Sequence, residues 1–224
     1  MNRKIFAIIA ALIFGANVAS AEESGVFFGL GAGYGDLKLE SKASANGVST
    51  KTEAKGGGVV YGAVLGYKQF FNPYVGLRYY VNADATHAKV KYQGDTSREM
   101  IFINYFANVD LLVNFIGGKE GDLGVFVGLG LGGNTLTGKG GKDTIDALKA
   151  LDLKPDSTSI GGVFNIGLRT NITKTHGLEF IAKVPVVPLI LTDMTRTYPT
   201  GDTTATKVSI GPTYQLLVRY IASF

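Results

Sequence analysis

Only two histidines, His87 and His176, and no cysteine occur in the 224 residues, so few side chains could bind a metal or run acid–base chemistry near neutral pH. A hydrolase would need a Ser or Asp nucleophile with a His base beside it, and a disulfide scaffold or cysteine zinc site is excluded outright. Two glycine-rich runs come close to nucleotide motifs. Gly128-Leu129-Gly130-Leu131-Gly132-Gly133 fits G-x-G-x-x-G, but its glycines recur every second residue and no apolar helix follows to receive a pyrophosphate. Gly133 to Lys139 approaches G-x-x-x-x-G-K, yet Gly140 stands where the magnesium-binding Ser or Thr belongs. No catalytic, cofactor-binding or metal-binding residue is therefore expected, and no enzyme. What remains is a set of charges embedded in apolar alternation: Lys68, Arg78, Asp84, Asp110, Arg169, Glu179, Lys183 and Arg219. Charges so placed either pair inside a closed interior or line a pore.

The segments that carry them alternate apolar with small or polar residues, the two-residue period of strands with unlike faces. Eight segments follow this rule. Near 25–39, Val26, Phe28, Leu30, Ala32 and Tyr34 oppose a row of glycines, and near 59–70, Val59, Tyr61, Leu65 and Tyr67 oppose Gly62, Gly66 and Lys68. In 74–85, Leu77, Tyr79 and Val81 oppose Arg78, Asn82 and Asp84; in 100–115, Ile101 to Phe115 at odd positions oppose Asn104, Asn108, Asp110 and Asn114. The pattern recurs over 123–131, 164–172, 178–186 and 214–224, with Arg169, Glu179, Lys183 and Arg219 on the polar side. Connections alternate as well. Long polar stretches (40–56, 86–98, 133–158 and 190–207) alternate with short ones (71–73, 116–122 and 173–176). An even number of strands, tight turns at one end and long loops at the other is the layout of an outer-membrane barrel.

A soluble barrel also alternates, but with its apolar face inward and an exterior about a quarter to a third charged. Here the polar face is sparse in charge and rich in Gly and Asn, which suits a cramped interior. Aromatic residues gather in two sets, Phe71, Tyr74, Phe115 and Phe224 near the short turns and Tyr34, Tyr61, Tyr79, Tyr105 and Tyr214 toward the long loops, as interfacial girdles require. The expectation is an all-β, eight-stranded antiparallel transmembrane barrel with four long extracellular loops. Within it, Arg78 is matched with Asp84, and Arg169 or Arg219 with Glu179. Pro185 and Pro212 should each force a bulge or an early strand end. The run 143–153 has apolar residues at helical spacing, with Asp143 as N-cap.

Arg3 and Lys4, the apolar run Ile5 to Ala16 and the small-residue pattern Ala19-Ser20-Ala21 before Glu22 read as a secretory signal peptide over 1–21, cleaved between Ala21 and Glu22. The barrel then occupies 22–224. Losing the two basic residues lowers the formal net charge of +4 by two, and no basic cluster survives to attract a nucleic acid.

The stretch His176-Gly177-Leu178-Glu179-Phe180-Ile181-Ala182-Lys183-Val184-Pro185, and a last strand ending Arg219-Tyr220-Ile221-Ala222-Ser223-Phe224, resemble the C-terminal barrel of the Helicobacter outer membrane protein (Hop-type) family. The opening Glu23-Ser24-Gly25-Val26-Phe27-Phe28 is similar to that family's mature N-terminus. The resemblance implies surface exposure in the bacterial outer membrane and adhesin or porin roles. Tyr220 and Phe224 resemble the signal read by the outer-membrane assembly machinery. The partners expected are outer-membrane lipid, that machinery and a host-surface ligand met by the loops. Two functions stand open: a surface-exposed structural or adhesion-type barrel displaying its loops, and a narrow porin-like channel for ions or small solutes.

Overall fold

The computed structural model describes residues 24–91, 97–116, 122–200 and 202–224; the signal peptide expected over 1–21 and its cleavage site lie outside the described residues. Among the described residues, strand periodicity is realised as ten strands: β1 (Gly25–Ala45), β2 (Val48–Phe70), β3 (Val75–Lys91), β4 (Ser97–Ile116), β5 (Asp122–Thr137), β6 (Thr158–Asn171), β7 (His176–Pro185), β8 (Leu189–Thr197), β9 (Thr203–Gly211) and β10 (Gln215–Ser223). One helix, α1 (Gly138–Ala150), follows β5. Neighbours pair antiparallel in the order β1-β2-β3-β4-β5-β6-β7-β10, and β10 returns to β1, closing a ring of eight.

The eight segments expected from the sequence form that ring. The two further strands come mainly from residues read there as the fourth long loop, 190–207. β7 ends at Pro185, β8 begins just after Pro188, β9 ends beside Pro212 and β10 resumes at Gln215. Proline cannot donate to a ladder, so two long strands are cut into halves. β1 is long enough to serve both pieces of one of them. Its residues 27–35 pair with β10 and its residues 38–45 with β9. The first expected loop is likewise mostly strand. β1 and β2 run out to a two-residue turn at Asn46 and Gly47, both with positive φ (48° and 82°), the Asn-Gly geometry that matches strand twist. Asn46 Nδ2 donates to Asp202 Oδ1 at 2.8 Å, fastening this tip to the β8–β9 hairpin.

The apolar faces point outward. Leu30, Leu65, Val81, Leu129, Leu168 and Val218 are all more than half exposed, and a continuous apolar band of that size has lipid, not water, as its solvent. Along β1 the polarity then inverts. Outward residues are Val26, Phe28, Leu30, Ala32 and Tyr34, followed by Asp36, Lys38, Glu40 and Lys42; inward residues are Phe27 and then glycines, followed by the buried Leu37 and Leu39. β3 does the same, with Asn82, Asp84 and Thr86 inside below and Ala88 and Val90 inside above, where His87, Lys89 and Lys91 face out. The outer part of the barrel therefore has the polarity of a water-soluble protein. Its core comprises Leu37, Leu39, Val90, Met100, Phe102, Leu136, Leu189, Leu191, Val208 and Ile210 among others, and Ile145 and Leu148 of α1 pack against it.

The N-cap of α1 is Thr137, six residues before the expected Asp143, and it makes no side-chain cap bond. Buried Gly140 and Gly141 set that start, because a Cβ on Gly140 would lie 2.5 Å from the Glu99 carbonyl oxygen of β4. The helix ends with Asp152 at φ 57° and Leu153 N–H donating to Leu148 O at 3.1 Å, a Schellman closure. The aromatic girdle residues are exposed as expected, with one relocation. Tyr79 opposes Tyr67 near the start of β3 and so belongs to the short-turn half of the wall.

Candidate functional site

Inside the ring, every one of the eight charges singled out above is buried: Lys68, Arg78, Asp84, Asp110, Arg169, Glu179, Lys183 and Arg219. They come from six strands, and alternation alone aims them inward. In the ring of eight, β3 and β7 are four places apart, on opposite sides of the lumen. Two ion pairs cross that diameter. Arg78 Nη1 bonds Glu179 Oε1, and Lys183 Nζ reaches Asp84 Oδ2 at 2.5 Å. A third crossing is neutral. Gln215 Nε2 of β10 donates to Asn104 Oδ1 of β4 at 3.1 Å and to Thr86 Oγ1 at 2.8 Å.

Arg78 is the hub. Its Nη2 also pairs with Asp110 Oδ2 at 2.6 Å, directly across the β3–β4 ladder, and its guanidinium carbon lies 4.6 Å, 4.9 Å and 5.5 Å from the ring centres of Phe126, Tyr80 and Phe27. The expected Arg78–Asp84 pair does not form. The two residues are six apart on one strand, roughly 20 Å at ~3.3 Å per residue, and Asp84 is taken by Lys183 instead. Of the two arginines matched with Glu179, Arg219 approaches it at 3.9 Å and Asp84 at 4.0 Å. Arg169 donates to Asn114 Oδ1 at 2.9 Å and lies over Phe70.

A neutral set missed among the candidate residues completes the site. Asn108 Nδ2 donates to Asn82 Oδ1 at 2.7 Å, Asn165 Nδ2 to Asn108 Oδ1 at 3.0 Å and to Tyr80 Oη at 3.2 Å, and Asn82 Nδ2 to Asp84 Oδ2 at 2.7 Å. The asparagines share the parity of the charges, which marks them as interior. Tyr80, Phe27 and Phe126 share it too, and that parity was the available signal for the rings around Arg78. Among the described residues no three His, Cys, Asp or Glu gather as a metal-binding set. His87 sits on the outer half of β3 and His176 at the start of β7, beside a short turn, so they share no site.

A model of the Helicobacter outer membrane protein family matches residues 62–224. The chain belongs to that family. No curated protein matches it. Among solved structures it is similar to the outer membrane protein OprG from Pseudomonas aeruginosa, with 13% identity over 91% of this chain and 98% of that one, at a TM-score of 0.46. It is similar also to Neisserial surface protein A, with 16% identity over 90% of this chain and 99% of that one and a TM-score of 0.41. The outer membrane protein AlkL in DMPC bilayers is 16% identical over 94% of this chain and 96% of that one, at 0.43.

Two further places in this Helicobacter-family barrel carry chemistry. At its short-turn end, Tyr220 Oη and His176 Nδ1 are 2.5 Å apart with stacked rings, and Phe224 N–H donates to Val26 O at 2.9 Å. The Tyr220 ring and the terminal Phe224 ring remain exposed. On the outer wall, Glu40 takes Lys38, Lys42 and Lys51 at 3.0 Å each, and Glu53 takes Lys51 at 2.7 Å and Lys38 at 2.9 Å. Hydrogen bonds from Lys42, Lys38 and Lys51 hold the Glu40 carboxyl down to about 2, and those from Lys51 and Lys38 hold Glu53 at about 2. The same bonds, Glu53 first and then Glu40, push Lys38 and Lys51 up.

Proposed function

We propose that this protein is a closed, surface-exposed barrel whose outer wall and loops meet molecules outside the cell, and that it is not a channel. The observation that carries this reading is the pair of ion bridges across the lumen diameter, Arg78–Glu179 and Lys183–Asp84. Above them the bore is filled again by the apolar core around Met100, Phe102 and Leu136. An ion would have to break charge-assisted bonds and then cross a hydrocarbon plug, and eight strands enclose little more space than side chains fill. The rigid outer extension, fastened through Asn46 and Asp202, supports display. Catalysis has no place in this reading: His87, 3.9 Å from Glu99, and His176, bonded to Tyr220, lie at opposite ends of the barrel and share no site.

The test is conductance of the folded protein in planar bilayers. Wild type should be silent, and a Phe102→Ala, Leu136→Ala variant together with Arg78→Ala should leak. Stable unitary steps from wild type, with selectivity altered by Lys183→Gln, would overturn the closed barrel in favour of a narrow pore. The chain is also inferred to be exported by cleavage after Ala21, so that N-terminal sequencing of the membrane form begins at Glu22. Tyr220 and Phe224 are inferred to be read by the assembly machinery.

A further inference from the structure

On the outward faces of β1, β2, β3 and β9, lysines stand directly opposite lysines. Lys42 opposes both Lys51 and Lys207; Lys38 opposes Lys55, which opposes Lys91. Like charges so placed destabilise a sheet. Glu40 and Glu53, opposite each other between the two rows, bond Lys38, Lys42, Lys51 and Lys55. Two carboxylates thus answer four ammonium groups, and the patch stays cationic. One row closer to the lipid band, Lys89 also faces out, with Glu99 at 3.2 Å.

These lysines rise from the lipid-facing wall, not from the barrel mouth. Below Lys38, Lys55 and Lys91 the outward rows read Asp36–Gly57–Lys89, Tyr34–Val59–His87 and Ala32–Tyr61–Ala85. There the wall is hollowed. A shallow, mostly apolar depression of about 430 Å³ is floored by Ala63, Ala83 and Ala85 and edged by Leu30, Tyr61 and Ile103. Lys89 stands four residues above Ala85, roughly 13 Å along the strand at ~3.3 Å per residue. That is the span between a lipid phosphate and the middle of its acyl chain.

We propose that this face holds one phosphorylated lipid of the surrounding leaflet, its phosphate among Lys38, Lys55, Lys89 and Lys91 and an acyl chain along the depression. Charge complementarity selects an anion, and continuity with the apolar hollow on the same strands selects a lipid over a soluble polyanion, which would leave the hollow unused. The site is separate from the lumen and stands whether or not the lumen conducts.

The test reconstitutes the protein in phosphatidylcholine nanodiscs containing a minor fraction of diphosphoryl lipid A, and native mass spectrometry reads the lipid retained on release. Lipid A should be enriched over phosphatidylcholine. The variant Lys55→Gln, Lys89→Gln, Lys91→Gln should lower its retention on the order of a hundredfold, since each lysine near an anionic surface is worth about fivefold. Lys139→Gln with Lys149→Gln on α1 should change nothing. Filling the hollow with Ala63→Leu and Ala83→Leu should lower lipid A retention and leave binding of soluble inositol hexakisphosphate unaltered. If the triple variant fails to fold, Lys89→Gln alone, at about fivefold, reads the same outcome. Absence of enrichment, or enrichment untouched by the lysine variants, overturns the proposal. So does inositol hexakisphosphate bound as tightly as lipid A through the same lysines, which would make the patch a site for soluble polyanions.

Discussion

Arg78 holds Asp110 beside it and Glu179 across the lumen, within a cage of three aromatic rings. Taking away one partner of such a buried pair strands the other charges, at a cost of about 3–5 kcal/mol. Arg78→Met should lose that much in equilibrium urea unfolding from lipid vesicles; a loss under ~1 kcal/mol would mean that the interior is far better solvated than its packing implies. The outer-wall carboxylates behave differently because they sit in water. Glu40 and Glu53 have folded values of about 2 against an ordinary 4.5. Whatever they add to stability is therefore present above 4.5 and lost only as pH falls through about 2. Lys38 and Lys51 are raised from 10.5, so their part is complete below 10.5 and lost as pH climbs past the raised values. Carboxyl NMR titration should place both glutamates' midpoints near 2. Midpoints near 4.5 would show the lysine bonds to be absent in solution.

The closing seam between β1 and β10 depends on glycine in a way that one substitution can probe. A Cβ on Gly33 would fall 1.8 Å from the Leu216 carbonyl oxygen and 2.7 Å from the Leu217 Cα, both main-chain atoms that cannot swing aside. Gly33→Ala should cost about 1–3 kcal/mol and lower the yield of the heat-modifiable folded band on cold gels. By contrast, a Cβ on Gly133 would meet the Tyr105 ring, which can rotate away, so Gly133→Ala should be milder. Which strands exist was legible because Val, Leu, Ile and Tyr recur at every second residue against Gly and Asn. Their outer ends were not. Once β1 passes Tyr34, the apolar residues shift from the outward parity to Leu37 and Leu39 on the inward one, and the outward positions become Lys and Glu. A reading that follows one apolar parity loses its signal there and, past Leu39, reports a loop. The β8–β9 hairpin was hidden because Thr, Asp, Lys and Arg dominate 192–207; the helix was legible from Asp143 onward, and only its first turn was missed, because Gly138 to Gly141 argue against a helical start that tertiary contact nonetheless imposes. At the lumen, parity revealed which charges face in; it could not reveal pairing across the diameter, which depends on ring order and stagger.

Taken whole, the barrel is finished by its last residues. β10 pairs with both β7 and β1, and Phe224 N–H donates to Val26 O, so the C-terminus is the stitch that joins first strand to last. If Phe224 also serves the assembly machinery, deleting it should impair insertion in cells far more than refolding in detergent, as read by surface proteolysis against gel mobility. Equal effects in both settings would reduce its role to the single ladder bond. The reversal of polarity past Tyr34 has a further consequence. Sinking the barrel by one turn of the pleat would drag Asp36 and Lys89 into hydrocarbon, and raising it would lift Tyr34 and Tyr61 out, so immersion depth is locked from both directions. A strand running on from Tyr34 to Ala45, tilted at roughly 40° and rising ~3.3 Å per residue, then carries the Asn46–Gly47 tip about 25–30 Å above the lipid edge. The protein is in effect a ruler. Anything that the tip touches must therefore lie about 25–30 Å beyond the lipid edge.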